Sequence, residues 1–538
     1  MKRPISRRQL LRTLGTVGAG AAAATPAGVA AQSRRAVVPP AAAPPLPDVY
    51  QSIGVKPVIN GRGTFTIIGG SIELPEVRAA KMAANQQYAQ LDELMEAVGK
   101  RLAELTGAEW GMVSAGCAAA MSHATAACVA GGNPDLHVRI PNLAGFAKDE
   151  VIIPAHSRNV YDAAIRAVGV KIVEVDSPEA LQLAIGPKTA MIYIFAGPRT
   201  DSGPMSAEAI CATARRHGVP VFVDAAAEIL TIPNVHLQRG ATLVGYSGGK
   251  YIRGPQSAGL LLGRKDLVKA AWVHSAPHHG YARAMKVGRE EIVGMLVAVE
   301  SWVKRDHEAE WKRWVARCDH IAASVGKVAG VQTAVQREAE EGLSNRSPRV
   351  TIRWNAQQLG ITGAEAADIL FRTEPRIALG NAGRPAAGQP SAGDTGIAVV
   401  TAMLADGDET IVAQRISQVL SERRTAKAAE PEAPPAADLA GRWEIEITYA
   451  AGRSVHTLHL QQRGSRLEGL HQGDFLTRDI TGTITGDAVA LASVVSERHG
   501  DALTYRFKGT VSGDTVTGSL DMGEYLGATW IARRPATR

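Results

Sequence analysis

The chain has 538 residues, 45% of them apolar and 21% charged, enough to bury two or three separate cores. Beyond the N-terminus no run of about 18 large apolar residues occurs, which excludes an ordinary helical membrane span there. Of the formal net charge of +7, five positive charges come from Lys2, Arg3, Arg7, Arg8 and Arg12, so the remainder is close to neutral and offers no basic footprint for nucleic acid.

Those five charges belong to a recognisable leader. Ser6-Arg7-Arg8-Gln9-Leu10-Leu11-Arg12 is a twin-arginine pattern, followed by a mild Gly/Ala/Leu/Val stretch and small residues at Val29-Ala30-Ala31. Residues 1–31 are therefore expected to be an export signal read by the twin-arginine machinery, which carries folded proteins to the periplasm. Residues 32–47 are Pro/Ala-rich and read as an extended linker.

From residue 48 onward, short apolar runs alternate with helical patterns. The runs include Glu150–Pro154, Lys171–Val175, Ala190–Phe195, Val219–Val223 and Ala258–Leu262. Fully apolar strands separated by helices predict an α/β domain with a mainly parallel sheet over residues 48–300. Residues 301–423 are expected to form a small α+β domain, entered through long helices carrying Trp302, Trp311 and Trp314 as packing residues. A second linker (424–438) leads to a module with a different texture. There Gly482-Thr-Ile-Thr-Gly-Asp487 recurs as Gly509-Thr-Val-Ser-Gly-Asp514, and Gly-Asp turns between alternating residues predict an antiparallel β sandwich or barrel over 439–538. Trp443 and Trp530 bracket it as core residues. Cys117, Cys128, Cys211 and Cys318 lie in apolar or helical surroundings without metal-ligand spacing, so no metal site is expected and buried free thiols are, with a disulfide in an oxidising compartment as the alternative that sequence cannot pair.

Three features of the large domain carry chemistry. The run Val219-Pro-Val-Phe-Val-Asp224 ends in a carboxylate, at the strand end where ligands bind in open α/β sheets. Ser114-Ala115-Gly116-Cys117 breaks a strand and opens an Ala-rich helix, whose free N–H groups and positive dipole end suit a phosphate. In Gly245-Tyr-Ser-Gly-Gly-Lys250, followed by Gly254-Pro-Gln256, a lysine is framed by glycines with Ser247 three residues before it. Pyridoxal 5'-phosphate uses all three: a lysine that binds it covalently, an acid that keeps its pyridine nitrogen protonated, and an anion cradle.

The order of cradle, strand-end Asp and S-G-G-K-x-x-x-G-P-Q resembles the fold type I pyridoxal-phosphate enzymes. More closely still, it resembles the selenocysteine synthase/D-glucosaminate-6-phosphate ammonia-lyase-like family. Val58-Ile-Asn60, Gly69-Gly70-Ser71, His156 through Arg166 and Ala284 through Ile292 add to the likeness, which covers roughly residues 48–420. The resemblance implies a fold type I transferase-like large domain with an N-terminal active-site segment. It implies Lys250 and Asp224 as catalytic residues, and Ser114, Ala115, Gly116, Cys117 and Ser247 around the phosphate. His156 is expected against the cofactor ring, or as a loop or core histidine. Arg253 is expected at phosphate or substrate, or in a surface ion pair, and Arg376 near a substrate carboxylate. A homodimer or larger homo-oligomer follows from the resemblance alone.

The function expected from these readings is a lyase or dehydratase that eliminates across Cα–Cβ of an amino acid or amino-sugar acid, releasing ammonia and a keto acid. An aminotransferase or a selenocysteine-synthase-like transferase is the alternative. The export signal argues against a seryl-tRNA substrate. An exported binding or assembly protein on a non-catalytic fold is the reading from another class.

Overall fold

The computed structural model describes residues 48–338, 342–383, 393–422, 424, 433–495 and 503–535. The expected signal, the first linker and most of the second linker lie outside these residues. The described residues divide into one unit up to Lys56 and another from Pro57 onward. In the first, Gln51–Ile53 make a single 3-10 turn ended by the left-handed Gly54.

The strands in chain order are β1 (Ile59–Gly61), β2 (Trp110–Ser114), β3 (Glu150–Pro154), β4 (Lys171–Val175), β5 (Thr189–Phe195), β6 (Val221–Asp224), β7 (Leu243–Ser247) and β8 (Gly259–Gly263). After them come β9 (Val331–Gln336), β10 (Arg349–Trp354), β11 (Ile377–Asn381) and β12 (Thr395–Val400). The central sheet has the order β2-β8-β7-β6-β5-β3-β4. The neighbours from β7 to β4 run parallel, whereas β8 is antiparallel to both β7 and β2. Ile152, Met191, Ile192, Phe222, Val244 and Leu261 are almost wholly excluded from solvent, as befits strands covered on both faces. The helix Cys117–Ala130 is apolar nearly all round and is itself buried, which is how a helix without a polar face must sit.

A five-stranded sheet, β1-β11-β12-β10-β9, forms the second layer system with its own core around Ile352, Trp354, Ile397 and Ile416. The N-terminal strand β1 pairs in parallel with β11, so the segment expected to accompany the large domain enters through the small sheet. The long helices Arg289–Lys304 and His307–Val325 match the helical stretch expected there. No helix among the described residues is long and apolar enough to cross a membrane.

The C-terminal module is a closed antiparallel barrel. It is built from β13 (Gly441–Thr448), β14 (Arg453–Arg463), β15 (Arg466–Gln472), β16 (Thr477–Thr485), β17 (Ala488–Val495), β18 (Leu503–Ser512), β19 (Thr515–Asp521) and β20 (Gly527–Arg533). Closure by β13 against β20 leaves no free edge. The repeated Gly-Asp pairs form the tight turns after β16 and β18, with Gly486 and Gly513 at φ 57° and 58°. Trp443 and Trp530 are both buried in its core.

Candidate active site

The carboxyl edge of the central sheet gathers the expected groups. Asp224, the last residue of β6, lies in register with Phe195 of β5 and Gly245 of β7. Ser247 ends β7 opposite Gly259, which in turn faces Ser114 at the end of β2. His156 follows directly after β3, in the turn Ala155–Ser157. This edge is where an open α/β sheet binds its ligands.

Asp224 is 2% exposed. Its Oδ2 accepts a hydrogen bond from the Tyr193 hydroxyl at 2.9 Å. Its Oδ1 accepts from the Ala226 N–H at 3.0 Å and from the Cys117 thiol at 3.4 Å. Asn159 Nδ2 donates to Tyr193 at 3.0 Å and so fixes the phenol. Burial pushes the Asp224 carboxyl above its usual range, opposed by the Ala226, Tyr193 and Cys117 hydrogen bonds and the Lys250 charge. Burial and the Asp224 charge hold the Cys117 thiol well above its ordinary value, so it stays a donor. All four cysteines are free.

Lys250 sits half-buried in a turn closed by Gly248 N–H to Ala258 O and Arg253 N–H to Lys250 O. Burial lowers its pKa below the ordinary lysine value, while Asp224 and Cys117 pull it back up. The Gly-Pro-Gln element has a mechanical role. Gln256 Nε2 donates to Ser71 O at 2.9 Å and to Gly249 O at 3.0 Å, and a Cβ on Gly249 would lie 2.5 Å from Gln256 Oε1. The segment Ser71–Leu74 is thereby strapped to the lysine turn, with Ser71 N–H on Gly249 O and Leu74 N–H on Arg253 O.

At the cradle, Gly116 has φ 88° and Cys117 opens the helix. A Cβ at Gly259 would lie 2.5 Å from the Gly116 carbonyl carbon and 2.7 Å from Cys117 N. Strand β8 can therefore approach the helix N-terminus only with glycine there. Ser114 turns its hydroxyl inward, donating to Gly116 O at 2.8 Å, so it braces the turn, and Ala115 is half-buried beside it. Cys117 contributes its backbone to the helix start and its side chain to Asp224. Ser247 is half-buried at its strand end. His156 is half-buried with Nε2 enclosed and unpartnered, and burial and Arg199 lower its pKa.

The two arginines are placed differently. Arg253 adopts φ 58°, a conformation rare outside glycine, and its Nε donates to Ile72 O at 3.0 Å; this supports the strap. Arg376 donates from Nε to Phe371 O at 2.7 Å and lies 4.6 Å over the Phe371 ring, contacts within the small domain. Sequence reasoning missed Tyr193, Asn159 and Gln256 as supporting groups. It also missed a cavity of about 270 Å³ beside Tyr251 that is lined by Arg62, Arg346 and Arg349. The signal for Tyr193 was present: one hydroxyl inside the apolar run Ala190–Phe195.

The residues fit pyridoxal phosphate: a dry, hydrogen-bonded carboxylate, a half-buried lysine, an enclosed unpartnered imidazole nitrogen and a glycine-spaced helix start lie along one sheet edge. Fold and site together define a fold type I pyridoxal-phosphate enzyme. The chain is 31% identical over 328 residues to D-glucosaminate-6-phosphate ammonia lyase of Salmonella typhimurium, covering 59% of this chain and 85% of that protein. It is also 31% identical over 346 residues to 5'-C-glycyluridine monooxygenase-decarboxylase of a Streptomyces species, covering 61% and 83%. A solved structure of D-glucosaminate-6-phosphate ammonia-lyase superimposes with a TM-score of 0.61 at 27% identity, covering 70% of this chain and 99% of that one. No family model matches the chain. The chain belongs to the D-glucosaminate-6-phosphate ammonia-lyase/selenocysteine synthase-like family of fold type I pyridoxal-phosphate enzymes.

Proposed function

We propose that the protein binds pyridoxal phosphate covalently through Lys250 and acts as a lyase on an amino acid or amino-sugar acid, releasing ammonia and a keto acid. The observation that carries this reading is the pairing of a fully desolvated Asp224 with a lysine whose pKa burial lowers. When bound, the cofactor supplies an electron sink for the substrate's α-carbon. Asp224, oriented by Tyr193 and Cys117, holds a proton at the pyridine nitrogen. Lys250, whose pKa burial lowers, takes the proton from the α-carbon and returns it to the leaving group. The Cys117 helix start and Ser247 would hold the phosphate, and His156 would face the ring. The ammonia-lyase relative and its solved structure support elimination over transamination. The equally similar monooxygenase-decarboxylase supports a second reading, oxidative decarboxylation.

The test is a screen of amino acids and amino-sugar acids with the purified holoprotein, following ammonia, keto acid, carbon dioxide and oxygen together. Ammonia and keto acid in equal amounts without oxygen uptake are expected. Oxygen uptake with carbon dioxide release selects the second reading, and no turnover returns the molecule to the binding-protein class. Export is part of the proposal, supported by the Arg7-Arg8 pattern: replacing both with Lys should retain the protein in the cytoplasm on fractionation. We also infer a homodimer or larger assembly from the family, and light scattering of the mature protein tests it.

A further inference from the structure

The barrel holds a second cluster of chemistry, unconnected with pyridoxal phosphate. Near one end of its interior a continuous hydrogen-bonded chain runs across three strands. Tyr449 Oη meets Ser454 Oγ at 2.7 Å, Ser454 Oγ meets His456 Nε2 at 3.0 Å, His456 Nδ1 meets His471 Nε2 at 2.8 Å, and His471 Nδ1 meets Ser493 Oγ at 3.0 Å. Both nitrogens of both rings are occupied, which leaves no lone pair for a metal ion.

Arg478 faces this chain from the neighbouring strand, in register with His471. It is 7% exposed, and its guanidinium lies 4.8 Å over the Tyr505 ring. Its Nε and Nη1 are enclosed and without a hydrogen-bond partner. Among the described residues no carboxylate comes within ion-pair distance of it; Asp474 instead reaches toward His456 Nε2, at 3.7 Å. A buried guanidinium with unmade hydrogen bonds is costly unless an anion accompanies it.

The same end carries an apolar rim. Because the strands are antiparallel, the turns after β15 and β19 emerge there together. They expose Phe475 (97%), Leu526 (76%) and Tyr525 (59%). Leu526 is held at φ 66°, with Met522 N–H on its carbonyl, a conformation that side chains other than glycine rarely adopt. Within the barrel, Leu458, Ile480 and Phe507 close the interior with apolar surface.

We propose that this mouth binds a small organic carboxylate with an apolar body, its carboxylate paired with Arg478 and its body against the Phe475 and Leu526 rim. Ligand sites combine apolar surface with a few convergent polar groups, and this end of the barrel supplies both in Phe475, Leu526 and Arg478. It gives the C-terminal module a ligand of its own.

The experiment is calorimetric titration of the full-length holoprotein with octanoate, acetate and inorganic phosphate. Octanoate should bind at least about tenfold more tightly than acetate, since the rim contributes only to a chain with apolar surface. Arg478→Met should weaken octanoate at least about tenfold through loss of the charged partner, and Lys250→Ala should leave it unchanged. If Arg478→Met does not fold, Leu526→Asp, at an exposed turn, decides: it should weaken octanoate and spare the melting temperature. The proposal is overturned if octanoate does not bind or if binding survives the barrel variants. It is equally overturned if binding is lost in Lys250→Ala, or if phosphate binds as tightly as octanoate.

Discussion

Asp224 lies at a strand end that water does not reach, and three donors converge on its two oxygens. Its charge raises the Lys250 pKa while burial lowers it. Removing the charge therefore leaves burial opposed only by Cys117. In Asp224→Asn the pH midpoint for covalent capture of pyridoxal phosphate by the apoprotein should move down, measured by stopped-flow absorbance across pH. Turnover in the same variant should fall by about 100-fold or more, because a neutral amide does not hold the pyridine nitrogen protonated. Tyr193→Phe removes one hydrogen bond to that charge, a loss of about 1.5–3 kcal/mol; kcat should drop by roughly tenfold or more with the cofactor still bound. Lys250, Asp224 and the glycines around them were legible in the sequence because chemistry restricts residue type at those positions. The Cys117 thiol's turn toward Asp224 was not, since a cysteine at a helix start reads equally as cradle or core. Arg253 offered a ligand contact or a surface ion pair in the sequence; that its Nε ties Ile72 to the lysine turn is a tertiary contact no local pattern announces.

At the scale of elements, β8 and the helix Cys117–Ala130 meet without room for a methyl group. Gly259→Ala places a Cβ against backbone atoms at 2.5 Å and 2.7 Å, so backbone rather than a flexible side chain must move. Overpacking of this kind costs about 1–3 kcal/mol, and here it displaces the helix start itself. Thermal melting should drop, and equilibrium dialysis should show weaker pyridoxal phosphate binding. The strand segments of the central sheet were readable as continuous apolar runs. The reversal of β8 was not, because a fully buried strand looks the same in either direction. Nor did the three residues of β1 announce their partner: pairing with β11 across more than three hundred residues is a tertiary choice that local pattern does not encode.

Across the whole molecule, the central sheet, the small sheet and the barrel each possess a separate hydrophobic core. The sequence showed the barrel's closure only as an even series of alternating strands, since sandwich and barrel share that pattern until the first and last strands pair. A module with its own core and no residue in the sheet-edge constellation should be dispensable for chemistry. Deleting residues 425–538 should leave turnover and the cofactor spectrum unchanged; lost turnover with the cofactor retained would give the barrel a role in catalysis. The central claim is that Lys250 holds pyridoxal phosphate. Its most direct test is borohydride reduction of the purified protein followed by peptide mapping, beside Lys250→Ala. An absorbance band that borohydride removes is expected, with the reduced cofactor fixed to the peptide containing Lys250 and absent from the variant. Label on another lysine, or none after incubation with pyridoxal phosphate, would contradict it.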